Sequence, residues 1–241
     1  MQSVPQTPQL DPVPPTRRNP KSRKALRRSA LIAAGVSIAI PVTGQAVAAP
    51  VPAHTAAPGC MTAAEAQPNG KQWPAEPAMS IDPSATYSAD LQTNCGTITV
   101  ALDAAHAPRT VNSFVFLSGE QYFNHTRCHR LTTEGIFVLQ CGDPTGTGSG
   151  TPGYQIADEN LTGATYPAGT VAMANSGPDT NGSQFFLVYS DSKLPPAYTP
   201  FGRIASGMDV LQNIAAGGTK DNSGDGSPTS DIILQTVTTH N

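Results

Sequence analysis

Alternation of apolar and polar residues over 87–102 is what most constrains the fold. Tyr87, Ala89 and Leu91 alternate with polar neighbours, and so do Ile98, Val100 and Leu102, with Asn94-Cys95-Gly96 between the two runs. A period of two puts one set of side chains on one face, and the Asn-Cys-Gly segment marks a turn, so the stretch predicts a β-hairpin. A helix follows: Pro108 suits its first turn, Val111, Phe114 and Val115 line one face, and Gly119 stops it. Residues 128–143 predict two short strands around the polar turn Thr132-Thr133-Glu134-Gly135, and then a glycine-rich loop runs over 142–153. Strands are expected over 170–174, 184–189 and 201–205, a second helix over 208–216 ended by Gly217-Gly218, and a last strand over 232–237. Strands dominate this order, which predicts a mainly β domain: an antiparallel sheet closed as a barrel, with two helices covering its ends.

The 241 residues carry charge unevenly. Residues 1–28 hold seven Lys and Arg against one acid, Asp11, which leaves seven basic and sixteen acidic residues for the rest. An acidic body argues against nucleic acid as partner, because phosphate contacts need clustered Lys and Arg. Residues 1–20 are rich in Pro, Gln and Thr and have no apolar period. The basic run is followed by the apolar stretch 29–42, shorter than the roughly 20 residues that cross a bilayer, and by Ala46-Val47-Ala48, a small-x-small cleavage pattern. Residues 1–49 therefore read as a basic head plus a signal peptide or an uncleaved anchor. Leu26-Arg27-Arg28-Ser29-Ala30-Leu31 resembles a twin-arginine export signal. Residues 50–80 read as a Pro- and Ala-rich linker, and 81–241 as the folded domain. The expected location is outside the cytoplasm or in the cell envelope, with membrane contact only through the N-terminal segment if it stays uncleaved.

Four cysteines in an exported chain suggest two disulfides. Cys128 and Cys141 fall on neighbouring strands of the central hairpin and could face each other, in which case Cys60 would pair with Cys95. The spacing by itself leaves all three pairings open. No CxxC pattern is present, and no metal site is expected.

The central stretch places Arg130 and Gln140 among Ile136, Phe137, Val138 and Leu139. An arginine on an apolar strand needs a partner or a task. Gln140 and Gln184 are amides that could hold its guanidinium flat. No nucleophile with a base, and no pair of catalytic carboxylates, stands beside it. His129 reads as a core histidine with its ring nitrogens satisfied. The run from Gly142 to Gly148 lacks the Gly-Lys-Ser/Thr ending of a phosphate loop and reads as a structural loop whose glycines let backbone approach a ligand.

Several separated motifs then occur in one order: His129-Arg130, Gln140-Cys141-Gly142-Asp143-Pro144, Met173-Ala174-Asn175-Ser176-Gly177-Pro178, and the run from Asn181 to Phe186. Together they resemble the cyclophilin peptidyl-prolyl cis-trans isomerases, over about 81–237. The resemblance implies a closed eight-stranded antiparallel barrel capped by two helices. It implies Arg130 as the catalytic residue, a proline pocket of Phe137, Val138, Phe186 and Leu194, and Gln140 and Gln184 orienting Arg130 and touching substrate. It also implies Asn175 on the substrate backbone with Ala174 and Ser176 beside it, Gly146 on the rim, and Tyr198 where the family often has His. There are departures. Val138 replaces the usual Met, and the turn after Arg130 is about two residues longer. Lys193 stands where many members carry a Trp that matters for cyclosporin, so weak sensitivity to that drug is expected. Cys128 and Cys141 replace the usual Phe and Gly. The implied activity is cofactor-independent isomerisation of Xaa–Pro bonds in proline-containing polypeptides, by a monomer that helps exported proteins fold. The alternative is a non-catalytic module or chaperone that holds Pro-bearing segments.

Overall fold

The computed structural model describes residues 59–62 and 67–241. The leader, cleavage and twin-arginine readings fall on residues outside the described ones. The elements run in order β1 (Tyr87–Thr93), β2 (Gly96–Leu102), α1 (Pro108–Gly119), β3 (Thr126–Arg127), β4 (Arg130–Thr132), β5 (Val138–Cys141), β6 (Thr170–Met173), β7 (Phe185–Val188), β8 (Pro200–Ser206), α2 (Met208–Ala216), β9 (Asp225–Gly226) and β10 (Ile233–His240). The expected hairpin is present as β1 and β2, with Leu91 opposite Ile98 and Thr93 opposite Gly96. Both helices lie where their periodicity and stop signals put them. Pro108 opens α1, and the orphan N–H groups of Arg109 and Thr110 donate to the Glu159 carboxylate at 3.1 and 2.8 Å, a cap supplied from 50 residues away.

Among the described residues all strands join one antiparallel sheet in the order β3-β10-β1-β2-β8-β6-β7-β5-β4-β9. The mainly β architecture with two helices is thus the expected one, but the barrel is not the continuous closed ring of eight. The sheet is curled and open, and ten strands are distinguished. The reason lies at Cys128-His129, which breaks what would be one strand. Its first half, β3, pairs with β10, and its second half, β4, pairs with β5. The tenth strand is β9, two residues laid on β4. Across the seam, Arg127 bridges Asp143, and a disulfide joins Cys128 to Cys141. The second disulfide joins Cys60 to Cys95.

One large core fills the inside of the curl. Leu91, Ile98, Val100, Phe185, Leu187 and Phe201 from the sheet meet Val111, Phe114 and Leu117 of α1 and Leu211 and Ile214 of α2. Phe114 sits at the centre of an aromatic group, stacked on Phe123 and edge-on to Phe185. Residues 67–80, linker-like in composition, are bound to this body. The Trp73 ring packs against Phe116 and Tyr122, the Trp73 backbone N–H donates to the Pro152 carbonyl at 2.8 Å, and Ser80 and Asn112 are hydrogen-bonded. Composition hid this because one large ring, rather than many apolar residues, makes the contact.

Candidate active site

Pleating gives β5, β6 and β7 two buried faces. Leu139, Cys141, Val171, Met173, Phe185 and Leu187 point into the main core. Their alternates Val138, Ala172, Phe186 and Val188 point outward and build a second, smaller apolar cluster with Tyr166. Pairing then sets one row across four strands: Arg130 opposite Gln140, Gln140 opposite Phe186, and Phe186 opposite Ala172. Directly opposed residues share a face, so the guanidinium, the amide and the ring stand side by side. The small Ala172 leaves Phe186 room to lie over the sheet.

Arg130, Gln140 and Phe186 of this row form one wall of a cavity of about 160 Å³. Val138, Phe186, Leu194 and Ile136 give it an apolar side, while Arg130, Gln140 and Asn175 bring polar groups to it. Tyr198 lines it too, with its ring edge-on to Phe186 at 5.6 Å. The Tyr166 hydroxyl fixes the Tyr198 backbone, donating to its carbonyl at 2.8 Å and accepting from its N–H at 3.0 Å. The cavity is too small for a drug-sized molecule and suits a single apolar side chain or ring. A second cavity of about 340 Å³, lined mainly by polar residues and glycines, adjoins it. The two share Gln140, Ala174 and Asn175, and Gln184, Ser176, Gly148 and Gly150 line the second.

A hydrogen-bonded relay holds the guanidinium. Arg130 Nη1 donates to Gln140 Oε1 at 3.2 Å, and Gln140 Nε2 donates to Gln184 Oε1 at 2.9 Å. Gln184 Nε2 donates to the Gly148 and Gly150 carbonyls at 2.9 and 3.0 Å. On its other side Arg130 makes a two-pronged ion pair, with Nε to Asp225 Oδ1 and Nη2 to Asp225 Oδ2, both 2.7 Å. That hydrogen-bonded pairing raises the Arg130 pKa further against the opposing effect of burial, and it holds the Asp225 carboxyl below the usual range. The two side chains are 39% and 56% exposed, so the pair contributes only about 0–1 kcal/mol to stability.

The glycine-rich loop is organised by Asp143, which is wholly buried. Its carboxylate accepts from the Thr145 N–H and hydroxyl at 2.7 and 2.8 Å, from Thr147 N–H at 3.1 Å and from Gly148 N–H at 2.6 Å. Burial pushes this carboxyl up, but the hydrogen bonds from Thr145, Gly150 and Gly148 outweigh it and hold the group below the ordinary range. Gly142 permits the turn into the loop: its φ is 85°, and a Cβ there would collide with the Ser183 carbonyl.

Most of the expected residues converge. Arg130, Val138, Gln140, Ala174, Asn175, Phe186, Leu194 and Tyr198 meet at the small cavity, and Ser176 and Gln184 at the larger one. Two do not. Phe137 lies outside the lining of both cavities, 5.8 Å ring to ring from Tyr189, and Ile136 takes its place. The alternation of 136, 138 and 140 toward one face is the signal that would have found Ile136. Gly146 sits against the Arg127 side chain rather than at the rim, where Gly148 and Gly150 stand. His129 is buried as expected, but its ring nitrogens are not satisfied: neither has a hydrogen-bond partner among the described residues. Burial pushes its pKa down; the nearby Asp143 charge and, more weakly, the Arg127 backbone oppose this, and the Arg130 charge adds to it. Asp225 was not foreseen, because the pairing of Thr132 with Asp225 brings it from 95 residues away. Asn175 spends its amide within the chain, donating to the Ala197 carbonyl at 2.8 Å.

Comparison with known proteins bears on the same region. Residues 88–239 match the family described as cyclophilin type peptidyl-prolyl cis-trans isomerase/CLD. Among curated proteins, "Probable peptidyl-prolyl cis-trans isomerase B" of Mycobacterium leprae is 50% identical over 167 residues, 64% of this chain and 57% of its own length. Its counterpart in Mycobacterium tuberculosis is 47% identical over 167 residues, again 64% of this chain and 54% of its own length. The chain thus spans little more than half the length of these relatives. Among solved structures, a cyclophilin type peptidyl-prolyl cis-trans isomerase of Cryptosporidium parvum superposes with a TM-score of 0.59 at 30% identity, over 65% of this chain and 99% of that one. The same Cryptosporidium protein, crystallised in the presence of the dipeptide Ala-Pro, superposes with a TM-score of 0.58, over 64% of this chain and 99% of that one.

Proposed function

The chain belongs to the cyclophilin-type peptidyl-prolyl cis-trans isomerase family, and from that premise we propose that its domain rotates Xaa–Pro bonds in proline-containing polypeptides, with Arg130 as the catalytic residue. The observation that carries this reading is the guanidinium held flat beside a small cavity, of proline-ring size, with Val138, Phe186 and Leu194 in its wall.

The barrier to rotation is about 18–20 kcal/mol, because amide resonance must be broken. In the twisted state the prolyl nitrogen becomes pyramidal and gains a lone pair. A guanidinium aimed at that nitrogen stabilises the twisted state more than either planar one, and this difference is what accelerates rotation. No electron, group or metal is exchanged, so the chemistry needs no cofactor. The cavity of Val138, Phe186 and Leu194 grips the ring while the carbonyl on the far side of the bond swings. The Asn175 amide is already engaged with Ala197, so its backbone is the part that meets a flanking substrate peptide. The adjoining polar cavity accepts the residues preceding proline.

The proposed setting is outside the cytoplasm, where the enzyme helps exported proteins fold. Support comes from the basic and apolar N-terminal segments and from two disulfides with no free cysteine, a usage typical of oxidising compartments. The test is isomerisation of an Ala-Pro peptide by the purified full-length chain, under oxidising conditions, against Arg130→Ala. An active wild type and a folded variant slowed by at least a hundredfold are expected. A folded but inactive wild type would sink the enzyme reading in favour of a binding module, and an unimpaired variant would sink the role given to Arg130.

A further inference from the structure

We infer that Asp225 is a positioning residue for Arg130, fixing the plane in which the guanidinium meets the substrate. The inference rests on the reading of the pocket as an isomerase site. A guanidinium has five N–H bonds in one plane. Three are spent among the described residues: the Nε and one Nη2 bond on Asp225, and one Nη1 bond on Gln140. One N–H on each Nη remains for substrate, and Arg130 lines the cavity.

Gln140 makes a single contact at 3.2 Å, about which the guanidinium could still turn. Asp225 makes two contacts at 2.7 Å to adjacent nitrogens, and a two-pronged carboxylate forces both groups into one plane. The clamp therefore has distinct halves: Gln140 limits where the tip lies, and Asp225 limits how the plane is turned. The target makes this matter, because a pyramidal nitrogen offers one lone pair in one direction.

Asp225 is itself held. Thr132 and Leu131 pair with Asp225 and Gly226, Thr133 N–H donates to the Gly224 carbonyl at 2.8 Å, and the Ser223 hydroxyl donates to the Asp225 carbonyl at 2.8 Å. The β9 segment is thus short and anchored on both sides of the carboxylate. The ion pair is too exposed to matter much for stability, which leaves orientation as its consequence.

The experiment uses the full-length chain, with Asp225→Ala, Asp225→Glu and Arg130→Ala, and an Ala-Pro peptide whose exchange is followed by NMR without a coupling enzyme. Asp225→Ala is expected to lower kcat about tenfold with KM within about twofold, since the lost restraint acts on the twisted state. In the wild type the Arg130 Nη protons should be resolved by slowed rotation about Nε–Cζ; in Asp225→Ala they should merge. Asp225→Glu, which keeps a carboxylate, should recover part of both. Wild-type kcat in Asp225→Ala would overturn the inference alone, as would a lower kcat with unchanged Arg130 signals. An inactive wild type would overturn the reading of the domain and the inference with it.

Discussion

His129 and Arg130 are adjacent in the chain and meet opposite fates. Arg130 finds three hydrogen bonds and keeps its charge; His129, 9% exposed, finds none for either ring nitrogen. Folding therefore holds the imidazole neutral, with its pKa pushed below the ordinary value near 6.5. In the unfolded chain the group still titrates near that value. Between the two pKa values the unfolded state binds more protons, so this residue's contribution to stability is complete above about pH 6.5 and drains away as pH falls toward the folded pKa. Denaturation midpoints measured between pH 7 and 5 should fall on acidification, and His129→Gln should flatten that slope whatever it does to the absolute value. Equal slopes in the two proteins would show that the ring finds a partner in solution. Sequence placed His129 inside but could not reveal that its ring nitrogens lack a well-formed hydrogen bond there, because a partner depends on what other segments bring near. The same limit hid Asp225, whose carboxylate arrives on a strand of two residues with no periodicity to read. Arg130, Gln140 and Gln184 were legible because an amide or a guanidinium on an apolar strand is conspicuous in itself.

At the scale of elements, the site depends on a loop that is regular only around one carboxylate. Asp143 gathers the N–H groups of Thr145, Thr147 and Gly148, and the carbonyls of Gly148 and Gly150 hold Gln184, next but one to Arg130 in the relay. The depressed Asp143 pKa gives stability that is present above about pH 4 and lost as pH falls through the folded value. Amide exchange of Thr145 and Gly148 should quicken below about pH 4 before the main sheet opens, and Asp143→Asn should show fast exchange already at pH 7. If loop and sheet amides lose protection together in both proteins, Asp143 does not organise the loop separately. A strap holds the loop's far end. Trp73 donates to Pro152, and a side chain at Gly153 would run into the Trp73 backbone. Trp73→Ala should cost about 2 kcal/mol, less than the 3–5 of a fully buried Trp, with the loop amides again the first to exchange. The hairpin and both helices were legible since period and turn residues coincide there. The strap was not, since a Pro- and Ala-rich stretch with one Trp gives no sign of what that ring will meet.

For the whole molecule, the question is how an open curl of strands keeps its seam shut. Fourteen residues of β1 and β2 pair without interruption, whereas the seam relies on the two residues of β3 and the three of β4 on either side of Cys128-His129. Ladder hydrogen bonds are therefore fewest where the site's arginine stands. The Cys128–Cys141 disulfide spans that place, tying the break to the end of β5, one residue from Gln140. Cys60–Cys95 instead ties the segment before the strap to the β1–β2 turn, across the molecule's best-paired hairpin. The chain-entropy argument gives the two similar worth, about 3 kcal/mol for a loop near 15 residues and somewhat more for the longer one. They should nonetheless differ in effect on the site. Replacing Cys60 and Cys95 by Ala should lower the Tm and leave kcat/KM at 25 °C within about twofold. Replacing Cys128 and Cys141 by Ala should lower the Tm comparably and also cut kcat/KM several-fold, because the break just before β4 then loses its covalent link to the strand that carries Gln140. Equal losses of activity in the two double variants would mean that stability alone is at stake. A loss confined to the Cys128/Cys141 variant would place the seam, and not the barrel as a whole, as the part on which the setting of Arg130 depends.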